Sequence, residues 1–268
     1  MFYYVKIFFL VFVILIHAIF AAIGKVLFFF NKRFCILYTA GINKIACIFF
    51  SFILGIHVTK PKKLIRYKNP VLFVGNHLSY LDILPIGFCY PVIFVTSVDM
   101  GEHKSEGWIT SNAGSVYVER RMDKLNINVL KNNIESMKNI IKKKCALTIF
   151  PEATSANGKE ELLFFSSLFS SVEYTETIIV PFVIEYILID GKSLSKENES
   201  VVYFYKGQRF VPHVKKLLKH GKIGVKITFL ESFSALNRNR KDICNYCKLL
   251  IEEALKNKKK MMYEANGI

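Results

Sequence analysis

Residues 71–82 read VLFVGNHLSYLD and contain a strand, a turn and the start of a helix. The apolar run Val71–Val74 predicts a short buried strand, and an apolar segment from Leu81 to Cys89 follows after a polar turn. Ser79 is a good helix N-cap, which would place Asp82 at the third helical position. A strand that leads through a turn into a helix is a building unit of an α/β sheet.

His77 and Asp82 are the chemically notable pair in this stretch. They are five residues apart, so in one continuous helix their side chains would point about 140° apart. They meet only if His77 lies in the turn and Asp82 in the helix. Asp82 would then hold one imidazole nitrogen and leave the other free to take a proton, as in a His–Asp dyad. A capping carboxylate beside an unrelated polar histidine is the alternative reading of this spacing.

Further apolar strands alternate with helices on both sides of this unit. Apolar residues recur at helical period over residues 123–144 and 240–257. The pattern predicts an α/β fold, a mixed sheet flanked by helices, within one catalytic domain over residues 59–268. The other predicted strands are Val92–Thr96, Ser115–Val118, Ala146–Phe150, Ile178–Tyr186, Val201–Tyr205 and Lys222–Leu230.

The first 58 residues are strongly apolar and basic. Residues 7–30 are long enough to span or insert into a bilayer, and a second apolar run, residues 36–58, could complete a hairpin or lie in the interface. Ten Lys and Arg residues precede Asp82, the first carboxylate of the chain. We therefore expect residues 1–58 to form a membrane-anchoring helical segment. A signal peptide cleaved near Ala22 is the alternative.

Composition narrows the classes of function. The chain has 268 residues, 52% of them hydrophobic, and a net charge of +16. This hydrophobic content excludes intrinsic disorder, while the charge suits either nucleic acid or an acidic membrane surface. No nucleic-acid motif is visible, and a nucleic-acid binder would leave the N-terminal run unexplained, so we expect no nucleic-acid partner. The six cysteines require no disulfide framework, and a metal or redox role for Cys244 and Cys247 has little support.

Three further blocks follow the His77 block in order along the chain. They are GSVYVERR at residues 114–121, FPEATS at 150–155 and Val-Pro at 180–181. With NHxxxxD at 76–82, they resemble the glycerolipid acyltransferase family, whose bacterial form is the PlsC-type 1-acylglycerol-3-phosphate acyltransferase. That family's blocks are NHxxxxD, GxxFIDR, FPEGTR and a strand with Val-Pro. The resemblance covers roughly residues 70–185.

The resemblance implies an enzyme that moves a fatty acyl chain from acyl-CoA or acyl carrier protein to the free sn-2 hydroxyl of 1-acylglycerol-3-phosphate. His77 would be the general base and Asp82 would orient it, with no cofactor and no metal. Arg120 and Glu152 would position the acceptor headgroup. We expect residues 7–30 to insert in the inner membrane and the basic catalytic domain to face the cytoplasm, where acyl thioesters are available. Its substrate-binding residues would be Asn76, Ser79, Gly114, Arg120, Arg121, Glu152, Ala153, Thr154, Ser155 and Pro181.

Three departures of the blocks from the family pattern are chemically notable. Ala153 replaces a glycine, Ser155 replaces an arginine, and Glu119 replaces an aspartate. The loss of arginine removes one positive charge from the expected headgroup site, and the Thr-Ser form resembles lysophospholipid and lyso-ornithine-lipid acyltransferases. Lysophosphatidate is the predicted acceptor, with those lysolipids as alternatives. A non-catalytic basic membrane-binding protein is a remote alternative.

Overall fold

The computed structural model describes residues 2–119, 126–152, 164–205 and 207–265. Two long helices open the chain, α1 (Phe2–Phe30) and α2 (Lys32–Leu54). Asn31 separates them, because its extended backbone ends α1 while its side chain accepts the Phe34 N–H and caps α2. Gly55 ends α2 with a left-handed φ of 73°, a conformation that glycine adopts without strain.

The strands and helices that follow alternate along the chain. The strands are β1 (Ile56–Thr59), β2 (Val71–Gly75), β3 (Val92–Ser97), β4 (Val116–Val118), β5 (Ala146–Ile149), β6 (Ile178–Ile189), β7 (Lys192–Ser193), β8 (Ile223–Phe229) and β9 (Phe233–Ser234). The helices are α3 (Ile83–Cys89), α4 (Val98–Glu102), α5 (Lys104–Asn112), α6 (Ile127–Lys142), α7 (Phe210–Leu217) and α8 (Arg240–Ala265). Short 3-10 turns cover Tyr80–Asp82, Ser166–Ser171 and Glu199–Val201.

The strands of the described residues form one mixed sheet in the order β1-β8-β6-β2-β5-β3-β4, with β7 and β9 paired to β6. The five strands from β6 to β4 are parallel, whereas β8 runs antiparallel to β6. Val74 of β2 lies opposite Ile149 of β5, so the chain leaves these two strands side by side. In parallel sheets, this carboxyl edge is where ligands bind.

Each face of the sheet is covered by helices, as the sequence predicts. Along β2, Val71 and Phe73 pack on the face that α2, α3 and α7 cover, while Leu72 and Val74 pack on the face of α6 and α8. The mixed α/β sheet flanked by helices is therefore confirmed. Two apolar cores, one on each face, hold the carboxyl edge of β2 and β5 in place.

Two sequence predictions differ from the structure. Residues 201–205 are not a strand: a 3-10 turn covers Glu199–Val201, Phe204 packs against Tyr80 in the turn after β2, and Tyr203 packs against Tyr186 of β6. The second apolar run does not reach residue 58 as a helix, because Gly55 ends α2 and Ile56–Thr59 forms β1 beside β8. The predicted boundary at residue 58 thus falls inside a strand.

Both N-terminal helices are long and apolar enough to cross a membrane. The two differ in their surroundings. α1 leaves most of its apolar side chains exposed, while α2 is hydrogen-bonded to the sheet region. The first helix therefore presents the larger unpartnered apolar surface.

Candidate active site

The turn after β2 brings His77 and Asp82 together. Nδ1 of His77 lies 2.9 Å from Oδ2 of Asp82. A carboxylate only accepts hydrogen bonds, so Nδ1 carries the proton and Nε2 keeps its lone pair. Asp82 is fully buried, whereas the side chain of His77 is 20% exposed. The pair therefore combines a fixed tautomer with an open nitrogen that can act as a base.

Local backbone structure sets the position of Asp82. Ser79 caps the 3-10 turn Tyr80–Asp82 in a capping box, as its place in the sequence predicts. Oδ2 of Asp82 accepts the backbone N–H groups of Leu78 at 2.6 Å and Ser79 at 2.8 Å, in addition to the imidazole. The same carboxylate thus closes the turn and orients the histidine.

An aromatic wall supports His77 on its other side. The ring of His77 stacks on Phe150, with centroids 4.5 Å apart and planes 16° apart. Phe150 packs edge-on against Phe182 of β6. The Phe182 ring lies directly over Gly75, and only glycine leaves room for it there, because a Cβ at that position would lie 2.3 Å from the ring. Packing therefore fixes the plane of the imidazole as well as its hydrogen bond.

Glu152 links the ends of β5 and β2. Its Oε1 accepts the backbone N–H of His77 at 3.0 Å. Burial raises the pKa of Glu152 to about 8; the hydrogen bond from His77 opposes this shift, and the charge of Asp82 adds to it. A carboxyl group that holds a proton near neutral pH can donate a hydrogen bond through one oxygen while the other accepts from His77.

Several residues predicted to bind substrate are buried within the fold. Asn76 is 1% exposed, and its amide pairs with the backbone N–H and carbonyl of Ile184 in β6. Ser79 is buried as the cap, and Pro181 is buried within β6 opposite Val74. The polar side-chain atoms of Asn76 and Ser79 bond to the backbone, the side chain of Pro181 has no polar atom, and substrate contact by these three residues stays a prediction.

Gly114 lies away from the dyad. It precedes β4 at the amino end of that strand, with a φ of 62°, and a Cβ there would lie 2.9 Å from Thr39 of α2. Its role in the structure is a tight turn against α2. Glu152 is the predicted substrate-binding residue that the structure brings next to His77. The others, Arg120, Arg121, Ala153, Thr154 and Ser155, lie outside the described residues.

Sequence reasoning missed Tyr186. Its hydroxyl donates a 2.8 Å hydrogen bond to Oδ1 of Asp82 from the buried face of β6. Val180, Phe182 and Ile184 line the same face at period two. A tyrosine in such a buried apolar row indicates a polar partner nearby, because a buried phenol normally requires a hydrogen-bond partner.

The described residues offer no site for a metal ion. Within residues 2–119, 126–152, 164–205 and 207–265, no three His, Cys, Asp or Glu side chains form a group suited to metal binding. Cys244 and Cys247 are buried on α8 against the sheet core, where they pack as small apolar side chains.

A histidine oriented by a buried aspartate at a sheet edge defines a site suited to general acid–base chemistry. A family model described as Acyltransferase matches residues 55–185. This part of the chain, just under half of it, is therefore similar to the acyltransferase domain of the glycerolipid, PlsC-type family.

Individual relatives agree with this family. The chain is 27% identical to a lyso-ornithine lipid O-acyltransferase of Rhizobium meliloti over 213 residues, which are 75% of this chain and 68% of the relative. It is 26% identical to a 1-acyl-sn-glycerol-3-phosphate acyltransferase of Neisseria gonorrhoeae over 148 residues, 54% of each chain. The crystal structure of the LPA acyltransferase PlsC from Thermotoga maritima matches with a TM-score of 0.49 at 16% identity, covering 91% of this chain and 95% of that one.

Proposed function

We propose that the chain transfers a fatty acyl group from an acyl thioester, carried by coenzyme A or acyl carrier protein, to the free hydroxyl of a lysolipid. The His77–Asp82 pair carries this proposal. Its 2.9 Å contact engages Nδ1 of His77, so Nε2 is the nitrogen that can act as a base, on a side chain that is 20% exposed. The similarity of residues 55–185 to the acyltransferase family supports the same reaction class.

The transfer follows from the fixed tautomer of His77. Nε2 takes the proton of the acceptor hydroxyl while the hydroxyl oxygen attacks the thioester carbonyl carbon. Asp82 stabilises the imidazolium that forms. The carbon–sulfur bond then breaks, and the imidazolium returns its proton to the leaving thiolate. The products are an ester and a free thiol, and the enzyme ends in its starting protonation state.

A lyso-ornithine lipid is the first candidate acceptor. Four relatives named lyso-ornithine lipid O-acyltransferase match 69–81% of this chain, whereas the relatives named 1-acyl-sn-glycerol-3-phosphate acyltransferase match 44–54%. Ser155 supports the same choice, because it stands where the phosphate-recognising family form has arginine. An ornithine headgroup has no phosphate and needs fewer cationic partners.

Lysophosphatidate, the acceptor predicted from the sequence, is the second candidate. Arg120 and Arg121 are adjacent in the second block, and the chain carries a net charge of +16. Arginine binds phosphate through paired hydrogen bonds, so two arginines near the acceptor would favour a phosphomonoester. The product would then be phosphatidic acid, an intermediate of phospholipid biosynthesis.

The proposed location is the inner membrane, with the catalytic domain on the cytoplasmic face. Apolar α1 supports membrane association. Basic residues beside apolar segments favour the cytoplasmic side, where acyl thioesters are also available. Residues 1–58 would anchor the catalytic part of the chain to the lipid that supplies its acceptor.

An acyl-transfer assay tests both the reaction and the acceptor. Purified full-length protein would receive lyso-ornithine lipid, lysophosphatidate or lysophosphatidylethanolamine at matched concentrations, with acyl-CoA and acyl carrier protein as donors. We expect ester formation that is fastest with lyso-ornithine lipid and that is lost in folded His77→Ala. Faster reaction of lysophosphatidate would favour the second candidate. No transfer to any lysolipid by folded protein would contradict the proposal.

A further inference from the structure

The second oxygen of Asp82 has a partner outside the known sequence blocks. Oδ2 faces His77 and the backbone of the turn, while Oδ1 accepts the hydroxyl of Tyr186 at 2.8 Å. Tyr186 follows directly after residue 185, where the family match ends. Both oxygens of the carboxylate therefore accept hydrogen bonds, and the donor to Oδ1 belongs to β6.

The hydroxyl of Tyr186 is a permanent donor in this position. Burial raises the pKa of Tyr186 well above its ordinary value, and the charge of Asp82 and nearby Tyr80 and Tyr203 act in the same direction. The phenol therefore keeps its proton at every pH at which the enzyme is expected to work. Because a carboxylate only accepts, the direction of this hydrogen bond is fixed.

The ring of Tyr186 is also fixed in place. It is 4% exposed, packs edge-on against Tyr203 at 6.1 Å, and lies in β6 opposite Val225 of β8. A side chain held by a sheet on one side and an aromatic ring on the other has little rotational freedom. Its hydroxyl is thus a hydrogen-bond donor held at a fixed position beside the Asp82 carboxylate.

The geometry points to Tyr186 as a positioning residue for the dyad, an inference that rests on the proposed function of His77 and Asp82. Without the hydroxyl, Oδ1 loses its described donor and the carboxylate is held through Oδ2 alone, so its plane relative to His77 is less firmly fixed. Small misplacements of a base relative to its substrate reduce rates by up to about a hundredfold. Substrate binding would be unaffected, because Tyr186 lies behind Asp82.

The variant Tyr186→Phe tests this inference because it removes one oxygen and keeps the ring. We expect kcat to fall about 10- to 100-fold while KM for the acceptor stays within about twofold. Tyr203→Phe is the matched control: it removes a hydroxyl from the same aromatic cluster, and Tyr203 is not among the described donors to Asp82. We expect its kcat to remain near that of the parent protein.

A double-variant cycle separates positioning from simple loss of packing. In the Asp82→Asn background, Tyr186→Phe should lower the residual kcat by less than about twofold, because the charged partner has already been removed. A full additional loss in that background, or a parent-like kcat for Tyr186→Phe alone, would overturn the inference. An inactive parent protein would instead contradict the proposed function, so the two failures are distinguishable.

A second probe applies if Tyr186→Phe does not fold. Fluorinated tyrosine at position 186 retains the shape of the side chain and changes only the strength of its hydroxyl as a donor. We expect kcat to change with the number of fluorine atoms while KM stays constant. A kcat that is independent of fluorination would overturn the role of the hydroxyl.

Discussion

Asp82 combines a structural and a chemical task in one side chain. Its Oδ2 accepts two backbone N–H groups of the turn as well as the imidazole of His77. Hydrogen bonds to a charged acceptor are stronger than those between neutral groups. The turn that places His77 at the sheet edge therefore depends on the same carboxylate that prepares His77 for proton transfer.

Substitutions in the dyad should separate these two tasks. His77→Ala should lower kcat by roughly 10²–10⁴, the usual contribution of a general base, with little change in KM or stability. Asp82→Asn should lower kcat as severely and also destabilise the fold by about 1–3 kcal/mol, because buried N–H donors lose their charged acceptor. Initial rates and thermal unfolding of both variants provide the measurement. A folded His77→Ala protein with near-normal turnover would remove the dyad from the mechanism.

Glu152 should make stability depend on pH in a direction opposite to that of most carboxylates. Its pKa is about 8 in the folded protein, above the ordinary value of 4.5, so the folded state holds a proton that the unfolded state releases. This contribution to stability is complete below about pH 4.5 and is lost as pH rises through about 8, with a limiting slope of roughly 1.4 kcal/mol per pH unit.

The variant Glu152→Gln isolates that effect. The amide oxygen can still accept the His77 N–H, but the side chain no longer ionises. We expect the variant to become progressively more stable than the parent between pH 4.5 and 8, as measured by denaturant unfolding across that range. An unchanged difference at pH 5 and pH 8 would show that Glu152 keeps an ordinary pKa in the folded protein.

At the scale of elements, α7 and the loop before it are hydrogen-bonded to the turn after β2 that contains His77. Nε2 of His213 on α7 donates to the carbonyl of Tyr203, so Nδ1 accepts the hydroxyl of Tyr80 at 2.9 Å. The N–H of Phe204 donates to the carbonyl of Leu78. α7 and the preceding loop are therefore joined to the turn by both side-chain and backbone hydrogen bonds.

His213 should make this attachment sensitive to acid. Burial lowers the pKa of His213; the charge of Lys216 adds to this effect, while the hydrogen bond to Tyr203 opposes it. Below about pH 6.5 the unfolded chain takes up a proton that the folded protein resists, so stability is lost as pH falls. His213→Gln, which does not titrate, should remove this part of the pH dependence. Thermal unfolding from pH 7.5 to 5 compares the two, and parallel profiles would contradict the prediction.

Local patterns in the sequence predicted the elements that build the dyad, and long-range packing accounts for what they missed. The run Val71–Val74, the Ser79 cap and the spacing of His77 and Asp82 all act within about a dozen residues. By contrast, Asn76 pairs with Ile184 and Tyr186 reaches Asp82 across more than 100 residues of chain. Such partners depend on which strands become neighbours, which no local pattern encodes.

The apolar segment 201–205 shows the same limit for an element. Its composition favours a strand, but its aromatic side chains pack instead on Tyr186, in the case of Tyr203, and on Tyr80, in the case of Phe204. Tertiary packing overrides β-propensity in such cases. The sequence does contain a signal for the end of α2 at Gly55, because helices commonly end at a glycine in the left-handed backbone conformation.

At the scale of the whole molecule, α2 is attached to the catalytic part while α1 presents apolar surface outward. Asn43 donates to the carbonyls of Val92 and Ala113, and Lys44 donates to that of Cys89. α1 packs along α2 and exposes a row of large side chains that includes Phe8, Phe12 and Phe20. A surface of this kind in water is unfavourable, and a lipid phase is the environment that relieves it.

Membrane attachment should therefore be apolar rather than electrostatic. At about 1 M salt the screening length is only about 3 Å, which abolishes attraction between surface charges and acidic lipid, whereas burial of each phenylalanine still contributes roughly 1.5–3 kcal/mol. We expect the full-length protein to remain in the membrane pellet after such a wash. Release by salt, or recovery of a chain cleaved near Ala22, would contradict an inserted α1.

Substitutions on α1 locate the attachment. Replacing Phe8, Phe12 and Phe20 together by lysine should shift a large part of the protein to the soluble fraction, because three exposed aromatic groups are lost and three charges must enter lipid. Ile127→Lys on α6 is the matched control, since it removes an apolar side chain that is 70% exposed on a different element. If both variants were released from the membrane to the same extent, the protein would be attached through charge or through general surface hydrophobicity, and not through α1. Selective release of the α1 variant, with acyl transfer to detergent-dispersed lysolipid retained, would show that α1 holds an otherwise complete enzyme at the membrane.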